Sequence, residues 1–235
     1  MAGEPTVGRP TTGISSMATR NLLAELAERY ARQTGQRVLI ESVGGVDAAR
    51  RVTDGESFDV VVLASDAIER LGAAGRIVVS IRADIARSPV AIAVAAGAAR
   101  PDIASEAALR QAILGARSVG YSTGPSGAHL ARLFERWGIA ATIAPRIVKA
   151  PPGVPVGSLI ASGDVELGFQ QFSELMHLPG IDVVGTLPAE IEIVTVFSAA
   201  VCAASTQPHD AQAFISYLAS AEASSAKRAQ GMEPA

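Results

Sequence analysis

The stretch Tyr121-Ser-Thr-Gly-Pro-Ser-Gly127 follows the apolar lead-in Ser118-Val119-Gly120 and opens directly onto the helical pattern His129-Leu-Ala-Arg-Leu-Phe-Glu-Arg-Trp137. A strand that ends in small hydroxyl residues and turns into a helix aims unpaired backbone N–H groups, and the positive end of the helix dipole, at one point. That arrangement suits an oxyanion or a carboxylate. Ser122, Thr123 and Ser126 add hydroxyl donors, and Gly124 and Gly127 let the backbone come close. The same residue types are also ordinary helix caps, so the segment gains meaning from the rest of the chain.

Three other turns repeat the device. Gly13-Ile-Ser-Ser-Met17 precedes the amphipathic run Leu22, Leu23, Leu26, Ala27 and Tyr30, which places Ser15, Ser16 and Met17 at a helix start. Val43-Gly-Gly-Val-Asp47, with Gly44 and Gly45, follows the strand-like Arg37-Val-Leu-Ile-Glu-Ser42 and opens the helical Ala48–Val52. Pro151-Pro-Gly-Val-Pro155 carries Gly153 and Val154 ahead of a helix through Leu159 and Ile160, with Pro155 suited to its first turn. Four loops of one kind suggest a shared site.

The 235 residues are 49% hydrophobic and 18% charged, with a net charge of −3. A chain of this length buries a large core as one domain or two modest lobes. No apolar run reaches the ~18 residues of a membrane span, and Val90-Ala-Ile-Ala-Val-Ala-Ala96 reads as a buried strand. No Lys/Arg cluster is interleaved with aromatics, which argues against nucleic acid as a partner. An anionic ligand would therefore be held by local dipoles rather than by a global field. The single Cys202 excludes an internal disulfide and reads as a buried strand thiol. Met1–Pro10 has no apolar core of a signal peptide. The expected location is periplasmic if a leader was removed and cytoplasmic if the sequence is complete as given.

The order of elements is a strand near Gly13-Ile14, a helix over 18–34, a strand at 37–42, a helix at 46–54 and the strand Phe58-Asp-Val-Val-Val-Leu63, which leads to Ser65. Such alternation implies a parallel sheet with helices on both faces. A helix over 66–71 and a strand over 85–94 carry the chain into a second region. There the scheme repeats, with helices at 105–114, 127–137 and 155–162 and strands at 117–121, 146–149 and 165–169. A strand over 191–203 and helices at 208–220 and 222–229 close the chain. The domains expected are 1–84 plus 195–235 for one lobe and 85–194 for the other, with hinges near Ala83–Ser88 and Glu190–Thr195.

The segments Ile14-Ser-Ser-Met-Ala-Thr19, Phe58–Ser65, Tyr121–Ala131, Val165-Glu-Leu-Gly-Phe-Gln-Gln171 and Lys227-Arg-Ala-Gln-Gly-Met-Glu-Pro234 resemble the molybdate-type branch of periplasmic substrate-binding proteins of ABC transporters, including its aconitate-isomerase-like branch. The resemblance runs over nearly the whole chain from residue 13 onward. It implies an α/β, two-lobed, periplasmic-binding-protein-like (type 2) fold with a ligand cleft between lobes. It also implies serine hydroxyls, helix-start N–H groups and a strand-end tyrosine as ligand contacts. On this chain those positions match Ser15 and Ser16, the loop Ser122–Gly127, and Gly153-Val154. Two positions depart from the pattern: Gly44-Gly45 stands where the branch has a second serine cluster, and Gln171, beside Gln170, stands where it has the tyrosine.

A glutamine amide can donate to a carboxylate, and a Gly-Gly turn makes room for a bulkier ligand. The departures thus point from a compact tetrahedral oxyanion toward a larger anion such as a small carboxylate. Arg20, Arg50 and Arg51 are candidate bidentate partners or solvated helix faces. Two readings follow. One is a binding protein capturing a small anion, with an ABC permease as the expected partner. The other is an isomerase moving an allylic proton on a tricarboxylic acid, with Glu41, His129, Glu174, His177 and Tyr121 as candidate bases and no motif to choose among them. Neither reading calls for a cofactor or a metal, and no metal-ligand spacing, Ser-His-Asp order or P-loop is present.

Overall fold

The structure, a computed structural model, describes residues 9–151 and 153–235. Strand β1 (Thr11–Ser16) passes through one 3-10 turn, Met17–Thr19, into helix α1 (Arg20–Thr34). Helix α1 forms because Leu22, Leu23, Leu26, Ala27 and Tyr30 recur at helical spacing and are all buried. Leu22, Leu23 and Leu26 are at most 1% exposed, so each contributes on the order of 1.5–3 kcal/mol of burial. The helix ends where Gly35 adopts φ 77° and returns its N–H to the Ala31 carbonyl. Then come β2 (Val38–Val43), α2 (Gly45–Thr53), β3 (Val60–Ala64), α3 (Ser65–Ala73) and the long β4 (Ile77–Ala95).

The second α/β region holds α4 (Glu106–Gly115), β5 (Val119–Ser122), α5 (Pro125–Arg136), α6 (Ala140–Ile143), β6 (Ile147–Ala150), α7 (Val156–Ala161), β7 (Leu167–Gln171), α8 (Phe172–Leu175) and β8 (Ile181–Thr186). The chain closes with β9 (Val194–Cys202), α9 (Pro208–Ala219), α10 (Ser224–Ala229) and the short β10 (Glu233–Pro234). No described helix is long and apolar enough to cross a membrane.

Two compact units divide the chain at 86/87 and 195/196, within β4 and β9. In the first unit β1 pairs in parallel with β2 and β3, and β3 runs antiparallel to β9. Alternate residues of β3 serve two different cores: Val60 and Val62 pack with α1 and Phe214, while Val61 and Leu63 pack with Ile68 and Leu71. A strand buried on both faces is apolar throughout, which explains the run Val60-Val-Val-Leu-Ala64.

In the second unit β5 lies between β6 and β7, parallel to both, and β4 runs antiparallel to β7 and β8. Here the sequence Val90-Ala-Ile-Ala-Val94 sorts by face. Val90, Ile92 and Val94 enter the core of Leu130, Phe134 and Phe169, whereas Ala91 and Ala93 leave room for α7 through Val156 and Ile160. Among the differences from the sequence expectation, β4 begins at Ile77 rather than Ile85, α6 and α8 are separate short helices, and β8 and β10 are added strands.

Candidate functional site

In an open α/β sheet, ligands bind beyond the carboxyl ends of parallel strands. Within the first unit those ends are Ser16, Val43 and Ala64, since Ser16 lies in register with Val43 and Ser15 with both Ser42 and Val62. Ser15 is already committed: its Oγ shares a 2.8 Å hydrogen bond with the Ser42 Oγ and also reaches the Ser16 carbonyl. Ser16 differs. It keeps an extended backbone, does not cap the following turn, and its buried Oγ has no partner among the described residues.

Gly44 caps α2, and a Cβ placed on Gly45 would sit 3.5 Å from the Ser16 Cβ. The Gly-Gly turn therefore flanks the unpaired serine directly. Met17 is partly exposed in the 3-10 turn, and Ser65 is the partly exposed first residue of α3.

Within the second unit the matching ends are Ser122, Ala150 and Gln171. Gly124 caps α5, the Ser122 and Ser126 hydroxyls stand 3.4 Å apart, and Ser126 is 3% exposed. Helix α5 lies so close to the end of β5 that a Cβ on Gly127 would fall 1.7 Å from the Ser122 carbonyl oxygen. The turn after β6 is arranged differently from the expectation. Val154 donates its N–H to the Pro151 carbonyl, Gly153 takes φ 78°, and the helix opens only at Val156.

The Val156 N–H is taken by the Gln170 Oε1 at 2.8 Å, and the Gln170 Nε2 donates to the Glu174 Oε1 at 2.7 Å. Both ends of Gln170 are thus occupied in fixing Glu174 against the start of α7. Burial pushes the Glu174 carboxyl up to about 7, with the Gln170 donation acting against it. Desolvation that raises a carboxyl in this way makes it a candidate proton-transfer group.

Gln171, 4% exposed, donates from Nε2 to the Thr195 Oγ1 at 2.6 Å, which leaves its Oε1 buried without a partner among the described residues. Amide oxygen and nitrogen are assigned from their hydrogen bonds. With the amide turned over, the Thr195 hydroxyl donates to Oε1 and a buried N–H pair is presented instead.

The other candidates are placed elsewhere. Glu41 is held by the Arg51 guanidinium at 2.6 Å, which lowers its carboxyl. Arg51 also pairs with Glu56 and lies over the Phe58 ring, and Arg50 pairs with Asp47 and Asp54. Both arginines are engaged within their own surface networks. Arg20 is exposed and lines a groove of the first unit with Arg37, Leu39 and Phe58. Tyr121 is buried edge-on to Phe134, and burial raises its hydroxyl above the ordinary range. His129 and His177 are exposed. Among the described residues no group of three or more His, Cys, Asp or Glu side chains gathers to hold a metal.

Sequence reasoning named Glu174 without means to rank it, and it passed over the ligand potential of Ser88 and Thr195. Ser88 is fully buried with an unpartnered Oγ among the described residues. The position, between Arg87 and Pro89, belongs to no motif.

Two α/β units of this topology define a type 2 periplasmic-binding-protein fold. The chain belongs to the bacterial extracellular solute-binding protein family, whose model it matches over residues 12–233. It is 36% identical over 229 residues to an aconitate isomerase of Pseudomonas sp, covering 95% of this chain and 87% of that protein. Among solved structures it is similar to the periplasmic molybdate-binding protein of Azotobacter vinelandii, with TM-score 0.79 and 21% identity, covering 94% of this chain and 98% of that one. The sulfate-binding protein of Mycobacterium tuberculosis aligns with TM-score 0.77 and 16% identity, over 97% of this chain and 87% of the other. At those identities the solved structures speak to fold alone.

Proposed function

We propose that the protein binds a small polycarboxylate, of the aconitate type, and isomerises it by allylic proton transfer. The observation that carries this reading is the partly buried Glu174 carboxyl, which accepts from the Gln170 Nε2 at 2.7 Å while the Gln170 Oε1 is held by the Val156 N–H at 2.8 Å; desolvation raises that carboxyl to about 7. A carboxyl raised from its ordinary value is a stronger base than an exposed carboxylate and still gives its proton up readily, which suits a single residue that accepts and then returns a proton.

The steps balance without a co-reactant. The Glu174 carboxylate takes a proton from the methylene carbon between the double bond and a carboxylate, and the freed electron pair shifts along three carbons. Glu174 then returns the proton to the far carbon, where the double bond has left, and is a carboxylate again. Negative charge that spreads onto the substrate meets hydroxyl and backbone donors at the Ser122–Gly127 turn of the same unit, the kind of fixed dipole that stabilises a developing anion. The relative named for isomerising aconitate supports the substrate class.

A receptor reading, in which the anion is captured and not turned over, is favoured by the family itself. In that reading the protein works outside the cytoplasmic membrane and delivers its ligand to a permease. A thermal-shift panel with molybdate, tungstate, sulfate, phosphate, citrate and both aconitate isomers separates the ligand classes, because a ligand of the folded state raises stability by mass action. Stabilisation by the carboxylates is expected. Stabilisation by molybdate or tungstate alone overturns the polycarboxylate proposal.

Ser126→Ala is expected to weaken ligand binding by about 1.5–3 kcal/mol, the scale of one hydrogen bond to a charged group. Calorimetric titration checks this. Unchanged affinity in the variant removes this turn from the site.

A further inference from the structure

Strand β4 runs antiparallel to β7 with Val90 opposite Gln171. Side chains directly opposite each other project on the same face, and residues two apart on a strand share a face. Ser88 therefore stands on the face of Val90 and Gln171, roughly 7 Å along the strand from Val90. Ser88 is 0% exposed and Gln171 is 4% exposed, and each has a buried polar atom without a partner among the described residues. Native proteins leave few such atoms unsatisfied. Two of them on one strand pair, at the carboxyl end of β7, call for a common explanation.

We propose that Ser88 and Gln171 form a carboxylate subsite, in which the Ser88 hydroxyl and the Gln171 amide N–H donate to the two oxygens of one ligand carboxylate. Thr195 is the positioning residue: its hydroxyl, 2.6 Å from the Gln171 amide, donates to the amide oxygen and so turns the N–H pair toward the ligand. The chemistry of the pair supports an anion that is flat and carries an apolar stem. Both groups act as neutral donors, and the same face continues into the apolar Val90, Ile92 and Phe169. The inference rests on the polycarboxylate proposal and assigns one of that ligand's carboxylates to this pair.

The test is calorimetric titration of the wild-type protein and of Ser88→Ala with three non-reacting probes. Propane-1,2,3-tricarboxylate carries all carboxylates, glutarate lacks the central one, and methylsuccinate lacks one terminal one. Loss of a hydrogen bond to a charged group corresponds to roughly a ten- to hundredfold weaker affinity for the tricarboxylate. One of the two truncated probes, the one missing the carboxylate that Ser88 holds, is expected to bind wild type and variant equally. Thr195→Val is expected to reproduce this pattern, because the amide is no longer held.

The melting temperature of the ligand-free Ser88→Ala protein gives an independent readout. It is expected to stay level or rise, since the substitution removes an unsatisfied buried hydroxyl; a marked fall would assign Ser88 a structural role and overturn the subsite. Equal losses for all three probes, or no loss for the tricarboxylate, overturn the subsite while the polycarboxylate proposal stands. Failure of the wild-type protein to bind any of the three overturns both.

Discussion

Glu174→Gln is expected to lower turnover of the aconitate-type substrate by roughly 10²–10⁴-fold, the usual contribution of a positioned acid–base group, while leaving affinity nearly unchanged. The substituted amide keeps the shape of the side chain and still accepts from the Gln170 Nε2, which donates at 2.7 Å in the native protein. What it cannot do is carry a proton. Rate and affinity measured on one preparation check this, and a variant that retains full turnover would move the proton transfer to another group.

The same residue sets a pH dependence of stability with an unusual sign for a carboxyl. Its folded-state value of about 7 lies above the ordinary value of 4.5 for a free glutamate. The folded protein therefore holds the proton through a range where the unfolded chain has released it. Stability contributed by the protonated form is present below about 4.5 and is lost as pH rises through about 7, by about 3 kcal/mol at ~1.36 kcal/mol per pH unit. Glu41, Glu56, Asp59 and Glu106 are all lowered by their partners and act in the opposite sense, losing stability as pH falls. The difference between wild type and Glu174→Gln isolates the single group, with the variant gaining relative stability as pH rises from about 4.5 to about 7.

Gly127→Ala is expected to destabilise the second unit by about 3 kcal/mol or more and to weaken ligand binding with it. The added methyl would lie 1.7 Å from the Ser122 carbonyl oxygen and 2.9 Å from its carbon. Neither atom can retreat easily, because β5 is paired on both sides, by β6 and β7, with Ser122 opposite Ala150. The remaining way out is for α5 to lift off the strand end, which disrupts the Ser122–Ser126 turn and exposes Leu130 and Phe134. Denaturant unfolding measures the loss; an unchanged midpoint would mean that the close approach of α5 to β5 is not a feature of the folded protein in solution.

The alternation of strands and helices was legible where a strand is a short apolar run, as in β3, or where a strand runs into a turn of small and hydroxyl residues ahead of a helix, as between β5 and α5. The run Phe58–Leu63 and the turn Tyr121–Gly127 are the clearest cases. Strand β8 escaped notice because Ile181-Asp-Val-Val-Gly-Thr186 is half-buried along most of its length and follows Pro179-Gly180. The first part of β4 did so because Ser80, Arg82 and Asp84 break up the apolar residues between Ile77 and Ile85.

The candidate site could be read from sequence where backbone turns would form it and not where tertiary packing would. Glu174 looks like any acid at a short helix start until Gln170, Leu175 and the distant Val156 are seen around it. Ser88 acquires its interest only from the register that sets Val90 opposite Gln171. The expected N–H donor at Val154 fails for a local reason, since the Pro151 carbonyl takes that proton within the turn.

The most direct measurement is incubation of the purified protein with one aconitate isomer in deuterated water, followed by proton NMR and mass spectrometry. The account predicts conversion to the other isomer, with deuterium entering the methylene position as Glu174 exchanges its proton with solvent. Binding of the ligand with neither conversion nor deuterium incorporation would contradict it and leave the protein a receptor.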